Sequence, residues 1–183
     1  MSTPDTVTAI DVMAELTDRE KTELGDLRDA VYPPETESGW TGADMEWAPA
    51  HWRVAARTSD GTLASHVGIL VRDGVHSGTA VTIAGIGGVK THPRYRRQGH
   101  AARAMRRAED FFHTRGDIDF GLLVCDPPLL DYYAALGWKQ FNGRLLVTQF
   151  GARTEFTYSK IMTLPVRGTA PAGGVIDLGG PPW

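Results

Sequence analysis

The run Gly87-Gly88-Val89-Lys90-Thr91-His92-Pro93-Arg94-Tyr95-Arg96-Arg97-Gln98-Gly99-His100-Ala101-Ala102 holds the densest chemistry in the chain. It joins a predicted strand to a predicted helix. The first amides of a helix lack an internal partner, and the helix dipole adds positive potential there. Gly99 lets the main chain approach a ligand, and Ala101 and Ala102 keep side chains out of the way. Together these features suit a phosphate group. Residues 90–107 also carry Lys90, Arg94, Arg96, Arg97, Arg103, Arg106 and Arg107 and no acid. So short a block points to a local anion site rather than a nucleic-acid surface, which needs a wider basic face. The plainer reading is a solvated helix face. Phosphate anchoring accounts for both the small residues and the basic block, whereas a generic helix start accounts only for the first.

A second, oppositely charged feature lies earlier. Residues 1–60 hold thirteen acids against five bases, although the whole chain is only −3. Within it, Glu35, Glu37, Asp44 and Glu46 are interleaved with Trp40 and Trp47. Carboxylates beside aromatic rings suit a cationic amino sugar, by charge pairing and stacking; an exposed acidic loop is the alternative. The single cysteine, Cys125, sits in an apolar run with no triad spacing around it, which makes it structural. One cysteine also excludes an internal disulfide and a multi-cysteine zinc site, and no metal is expected. No apolar run approaches the about 18 residues of a membrane span. The N-terminus lacks the basic and apolar blocks of a signal peptide, so a cytoplasmic protein with no membrane or nucleic-acid partner is expected.

These groups need elements to position them. The 183 residues are 42% hydrophobic and 22% charged, with 21 glycines and 11 prolines, which indicates one globular domain with many tight turns. Thr17 to Glu20 forms a capping-box pattern, Leu24, Leu27 and Val31 follow at helical spacing, and Pro33-Pro34 stops them. Strands are predicted over 51–57, 63–71 and 78–91, with turns at Asp60-Gly61 and Asp73-Gly74. A helix is predicted over 99–113, burying Ala101, Met105, Ala108 and Phe112. The run 120–125 reads as a buried strand. Asp126 reads as the cap of a helix that enters on Pro127-Pro128 and ends at Gly137. Strands over 144–150 and 155–164 and a turn-rich tail complete the chain. The fold class is therefore α/β, a mixed and mostly antiparallel sheet flanked by helices.

Arg96-x-x-Gly99-x-Ala101, with Val89 closing the strand before it, resembles the coenzyme A-binding motif of the GNAT superfamily of N-acetyltransferases. Tyr133-Ala134-Ala135-Leu136-Gly137-Trp138 is similar to that family's second hallmark, Tyr-x-x-x-Gly-Phe/Trp, in the helix after the fifth strand. The two motifs stand in the family's order, and the likeness spans roughly 15–164. It implies the acyl-CoA N-acyltransferase fold as a single domain over 1–183, with acetyl-CoA as cosubstrate and a homodimer as a common assembly. It implies that Val89, Lys90, Thr91, Arg96, Arg97, Gln98, Gly99, His100, Ala101 and Ala102 hold the cofactor. The amide of Val89 would polarise the thioester, and Tyr133 would contact the cofactor and protonate the leaving thiolate.

Many relatives carry a glutamate on the strand before the motif, where this chain has Ala84-Gly85-Ile86-Gly87-Gly88. The general base is then to be sought among Asp126, His66, the C-terminal carboxylate of Trp183, or a water relay. The tail is similar to that of the aminoglycoside 2′-N-acetyltransferases, with Thr163-Leu164-Pro165 before a segment ending on Trp183. That likeness implies that the tail, 165–183, contributes to an acceptor site comprising Glu37, Asp44, Glu46, Trp47, Gly87, Asp126 and Trp183. Gly87 in place of the strand glutamate and Pro181-Pro182 in place of an acid suggest a less basic acceptor, such as kasugamycin. The expected activity is acetyl transfer to an amine of an amino-sugar antibiotic. The alternatives are a longer acyl donor, another small amine or a protein amine, or a coenzyme A-binding module without catalysis.

Overall fold

The computed structural model of the chain describes residues 9–33, 42 and 44–183. Among them, ten strands form one sheet: β1 (Ala9–Met13), β2 (Trp52–Arg57), β3 (Leu63–His76), β4 (Thr79–Thr91), β5 (Phe120–Cys125), β6 (Lys139–Gln140), β7 (Arg144–Gln149), β8 (Ala152–Glu155), β9 (Lys160–Pro165) and β10 (Val175–Asp177). The helices are α1 (Asp18–Val31), α2 (His100–Arg115) and α3 (Leu130–Ala135). The hydrogen-bonded order is β6-β9-β5-β4-β3-β10-β7-β8, with β2 and then β1 added on the free half of β3. Only β4–β5 and β10–β7 are parallel. β6 and β7 are joined by just residues 141–143, so the far ends of the path fold back towards each other around an enclosed core.

Alternation along β4 divides the interior in two. Ala84 and Ile86 face α2 and pack with Val54, Val67, Ile69, Met105, Ala108 and Phe112. Ile83 faces the other way, towards Leu70, Leu122, Leu145, Phe156, Ile176 and Trp183. Each such side chain contributes about 1.5–3 kcal/mol on burial. Helix α1 lies apart, seating Leu27 on Ala55 and Leu63.

The capping box at Thr17 and Glu20 forms as its residue types require, with both reciprocal hydrogen bonds present. Three expectations are corrected. β3 does not turn at Asp73-Gly74 but runs on to His76, and the hairpin turns at Ser77 and Gly78, both at positive φ. Gly74 is a glycine for a different reason: a Cβ there would lie 2.7 Å from the Asp177 carbonyl, so the small residue admits β10. The strand expected over 155–164 is instead the end of β8 and all of β9, because the chain leaves the sheet at Phe156 to bury that ring. The tail, read as turn-rich, supplies β10, and residues 9–13, for which no element is predicted, supply β1; both are short strands ordered by pairing with distant partners.

Candidate active site

The site begins where β4 and β5 part. Their last pair is Ile86 with Leu123, and beyond it Gly87, Lys90 and Thr91 pair only with β3. β4 does not end at Val89 but extends to Thr91, leaving an open strand edge of main-chain donors and acceptors for an extended ligand arm.

Past Thr91 the chain makes a single 3₁₀ turn, Pro93–Tyr95, whose first amide is capped by His92 Nδ1, the acceptor of the Arg94 N–H at 3.2 Å. Arg97 and Gly99 both take positive φ, 61° and 78°. Gly99 is the N-cap of α2, and no side chain caps the helix there. The amides of Ala101 and Ala102, in the first turn of the helix, have no intrahelical acceptor. Arg103 donates to the Gln98 carbonyl at 3.0 Å, and the Gln98 amide donates to the Arg94 carbonyl at 3.3 Å, which braces the loop from within. The His100 side chain turns inward, 1% exposed and edge-on to Tyr95, so this residue offers the ligand its main chain alone. Arg96 and Arg97 stay exposed beside the amides. An uncapped helix start behind a left-handed glycine, with guanidinium groups around it, fits a pyrophosphate.

Tyr133 lies on α3, packed in the core with Cys125 and Trp138 and 6% exposed. Burial, reinforced by Tyr132, Cys125 and Tyr32, holds its hydroxyl proton far more tightly than in water, so it stays a donor at neutral pH. Burial and the adjacent Asp126 push the Cys125 thiol up to about 11, which leaves it unreactive, as its apolar setting suggested. Asp126 does precede a helical turn, but that turn, Pro127–Leu129, is 3₁₀ and the carboxylate makes no capping hydrogen bond to it. The group is exposed at the mouth of the opening. Lys90 is half-buried, its ammonium lowered in pKa by burial and 6.0 Å from the Tyr32 ring.

On the face opposite α2, Trp183 is 8% exposed and packs across β4. Its indole fills the place a side chain at Gly85 would need, and its main-chain carbon lies 2.8 Å from where a Cβ on Gly87 would stand. The indole N–H donates to the Leu122 carbonyl at 3.2 Å. Arg72 donates to the Pro181 carbonyl at 2.8 Å and stacks over the indole, 5.6 Å from its centroid. Gly85 thus admits the ring, and Gly87 admits the main chain that carries it. The signal for Arg72 was absent from the sequence, since its partners lie in the tail.

The acidic segment is tied to that tail by the Ala48 N–H, which donates to the Pro182 carbonyl at 2.7 Å. Trp47 sets its edge against Phe156. Asp44 is exposed, but the Glu46 carboxylate accepts the Phe150 amide, and Gln149 pairs with the Glu46 main chain. Glu46 is thus engaged in fastening the β7–β8 hairpin rather than being free for a cation. Glu37, with Glu35 and Trp40, lies outside the described residues. Among the described residues no helix is long and apolar enough to cross a membrane.

A basic helix start behind a left-handed glycine, an open strand edge and a buried tyrosine are compatible with an enzyme that takes an acyl-CoA donor. The sequence matches the family described as an acetyltransferase (GNAT) domain over residues 13–141, and the chain belongs to that family. It is accordingly an acetyltransferase that uses acetyl-CoA. Solved structures agree in fold. The GNAT family N-acetyltransferase YhbS from Escherichia coli, crystallised with CoA, superposes with a TM-score of 0.65 at 14% identity, covering 98% of this chain and 93% of that one. A GNAT family acetyltransferase from Brucella melitensis, in complex with acetyl-CoA, gives 0.58 at 16% identity over 92% and 94%. No curated protein matches the sequence.

Proposed function

We propose that the chain moves an acetyl group from acetyl-CoA to a primary amine of an amino-sugar antibiotic, in a single domain. The α2 amides with Arg96 and Arg97 hold the pyrophosphate, and the free edge of β4 at Val89–Thr91 pairs with the pantetheine arm. Asp126 receives the ammonium proton, directly or through water: its carboxylate is exposed, free of a capping bond, and directly follows β5. Tyr133 returns a proton to the thiolate. Holding both reactants in register accounts for about 7–11 kcal/mol of such a reaction's barrier.

The observation that carries the choice of acceptor is the hydrogen bond from the Ala48 N–H to the Pro182 carbonyl, which ties the chain just after Trp47 to the tail next to Trp183. Asp44, an exposed carboxylate, and Trp47 precede that link, and a carboxylate beside an aromatic ring suits a cationic sugar. Thiol release from acetyl-CoA, measured with kasugamycin, kanamycin, glucosamine and a peptide bearing a free N-terminus, tests it. Turnover with an amino sugar and not the peptide supports the reading; turnover with the peptide alone, or with no amine, overturns it.

A further inference from the structure

We propose that His66 is a positioning residue for acetyl transfer: by donating to the Gly88 carbonyl it sets the plane of the Gly88–Val89 peptide and so aims the Val89 N–H. The proposal rests on the reading that transfer takes place at the open edge of β4.

The register between β3 and β4 shifts between His66 and Gly68, so that Gly88 and Val89 together stand opposite Val67. Gly88 takes a φ of +57°, a conformation glycine adopts without strain. Such a bulge interrupts the ladder that orients every other peptide of the strand, and bulges beside active sites re-aim particular groups. Here the orientation comes from a side chain. His66 Nδ1 lies 3.0 Å from the Gly88 oxygen, on a ring only 7% exposed. Lys90 Nζ reaches the same oxygen at 3.4 Å. A carbonyl only accepts, so Nδ1 carries the imidazole proton and Nε2 is bare.

That Nε2 is buried and has no hydrogen-bond partner. A histidine placed merely to fill the core would be a poor solution, since a leucine fills the volume without stranding an acceptor. What leucine lacks is the Nδ1–H. A trans peptide holds its C=O and N–H on opposite sides. A carbonyl drawn to His66 therefore turns the Val89 N–H away from His66, and past Ile86 the strand has no β5 partner to consume it. A donor fixed before the substrate arrives costs no reorganisation when negative charge develops on the thioester oxygen.

The test uses the full chain, carbonyl-labelled acetyl-CoA and the variants His66→Leu and His66→Asn, the second of which keeps a donor at the Nδ1 position. Infrared difference spectra report the thioester carbonyl stretch on binding, and calorimetry reports the affinity for CoA, which has no acetyl group. The expected result is a red-shifted stretch in the wild type, loss of most of that shift in His66→Leu, its recovery in His66→Asn, and CoA affinity unchanged within about twofold. A shift that persists in a folded His66→Leu overturns the role of His66 while leaving the transfer site intact. No shift in the wild type overturns the site reading and this proposal together. If His66→Leu does not fold, nitrogen NMR of the wild-type ring decides: a protonated Nδ1 at neutral pH supports the proposal, and a protonated Nε2 overturns it.

Discussion

The indole of Trp183 occupies the volume that a side chain at Gly85 would fill, and it is held there by the Leu122 carbonyl on one side and Arg72 on the other. The two residues are far apart in sequence, yet neither choice makes sense alone. Gly85 lies within a strand, where glycine is unfavourable, and the tail makes only one short strand of its own.

This pairing predicts a specific non-additivity. Gly85→Val should destabilise by about 2–3 kcal/mol through overpacking, and Trp183→Ala by about 3–4 kcal/mol through the cavity it leaves. In Gly85→Val/Trp183→Ala the valine enters space the ring has vacated. The double variant should then cost less than the two singles together by about 1–2 kcal/mol, read by urea unfolding. Strict additivity would show that the ring does not depend on the missing side chain.

Gly99 is the test of the phosphate loop. It sits at φ +78° and a Cβ there would meet Arg103 Nη1 at 3.2 Å. Gly99→Glu adds a left-handed strain and a negative charge at the uncapped start of α2, so CoA affinity should fall by about a hundredfold or more. Gly99→Ala, which adds the strain without the charge, should fall in between. Calorimetry with CoA measures both, and unchanged affinity in Gly99→Glu would remove the pyrophosphate from this loop.

Tyr133→Phe keeps the packed ring and deletes the proton. Because burial holds the hydroxyl protonated, the wild-type residue is a donor throughout the neutral range. Turnover should drop by about a hundredfold with KM for acetyl-CoA nearly unchanged. Equal losses in turnover and in CoA affinity would mark a packing role instead.

What could be read in advance follows from how local each determinant is. The α1 capping box needs only residues three apart, and it formed as written. The buried face of α2 obeys a helical period, and Met105, Ala108 and Phe112 are each fully enclosed, although Ala101, expected with them, is only partly buried and Ala104 is enclosed instead. The proposed phosphate loop is contiguous, so its glycine and arginines can be read directly from the sequence. Asp73-Gly74 misled because a glycine that admits a neighbouring strand looks the same in sequence as one that turns. β10 and the seat of Trp183 were illegible because they are made by β3, β5 and β7, each distant along the chain. His66 reaches Gly88 through a shift in register, which no residue type signals.

The same histidine gives the fold a pH dependence whose sign can be stated. Burial, and then the charges of Lys90 and Arg53 against the opposing hydrogen bond to Gly88, bring His66 from 6.5 down to about 4. Between those values the unfolded chain takes up a proton that the native state refuses, so stability rises with pH across that window and is lost as pH falls through it. The full difference is on the order of 3 kcal/mol. Carboxylates held low by their partners, such as Asp60 and Asp117, also weaken the fold in acid, but only as they protonate further down. Comparison with His66→Asn separates the contributions, because asparagine keeps a donor towards Gly88 and cannot titrate. Urea unfolding at neutral pH and near pH 5 should show the wild type losing about 1–2 kcal/mol more than the variant. Equal losses in the two proteins would mean that His66 is solvated in the native state, and the buried imidazole would have to be abandoned.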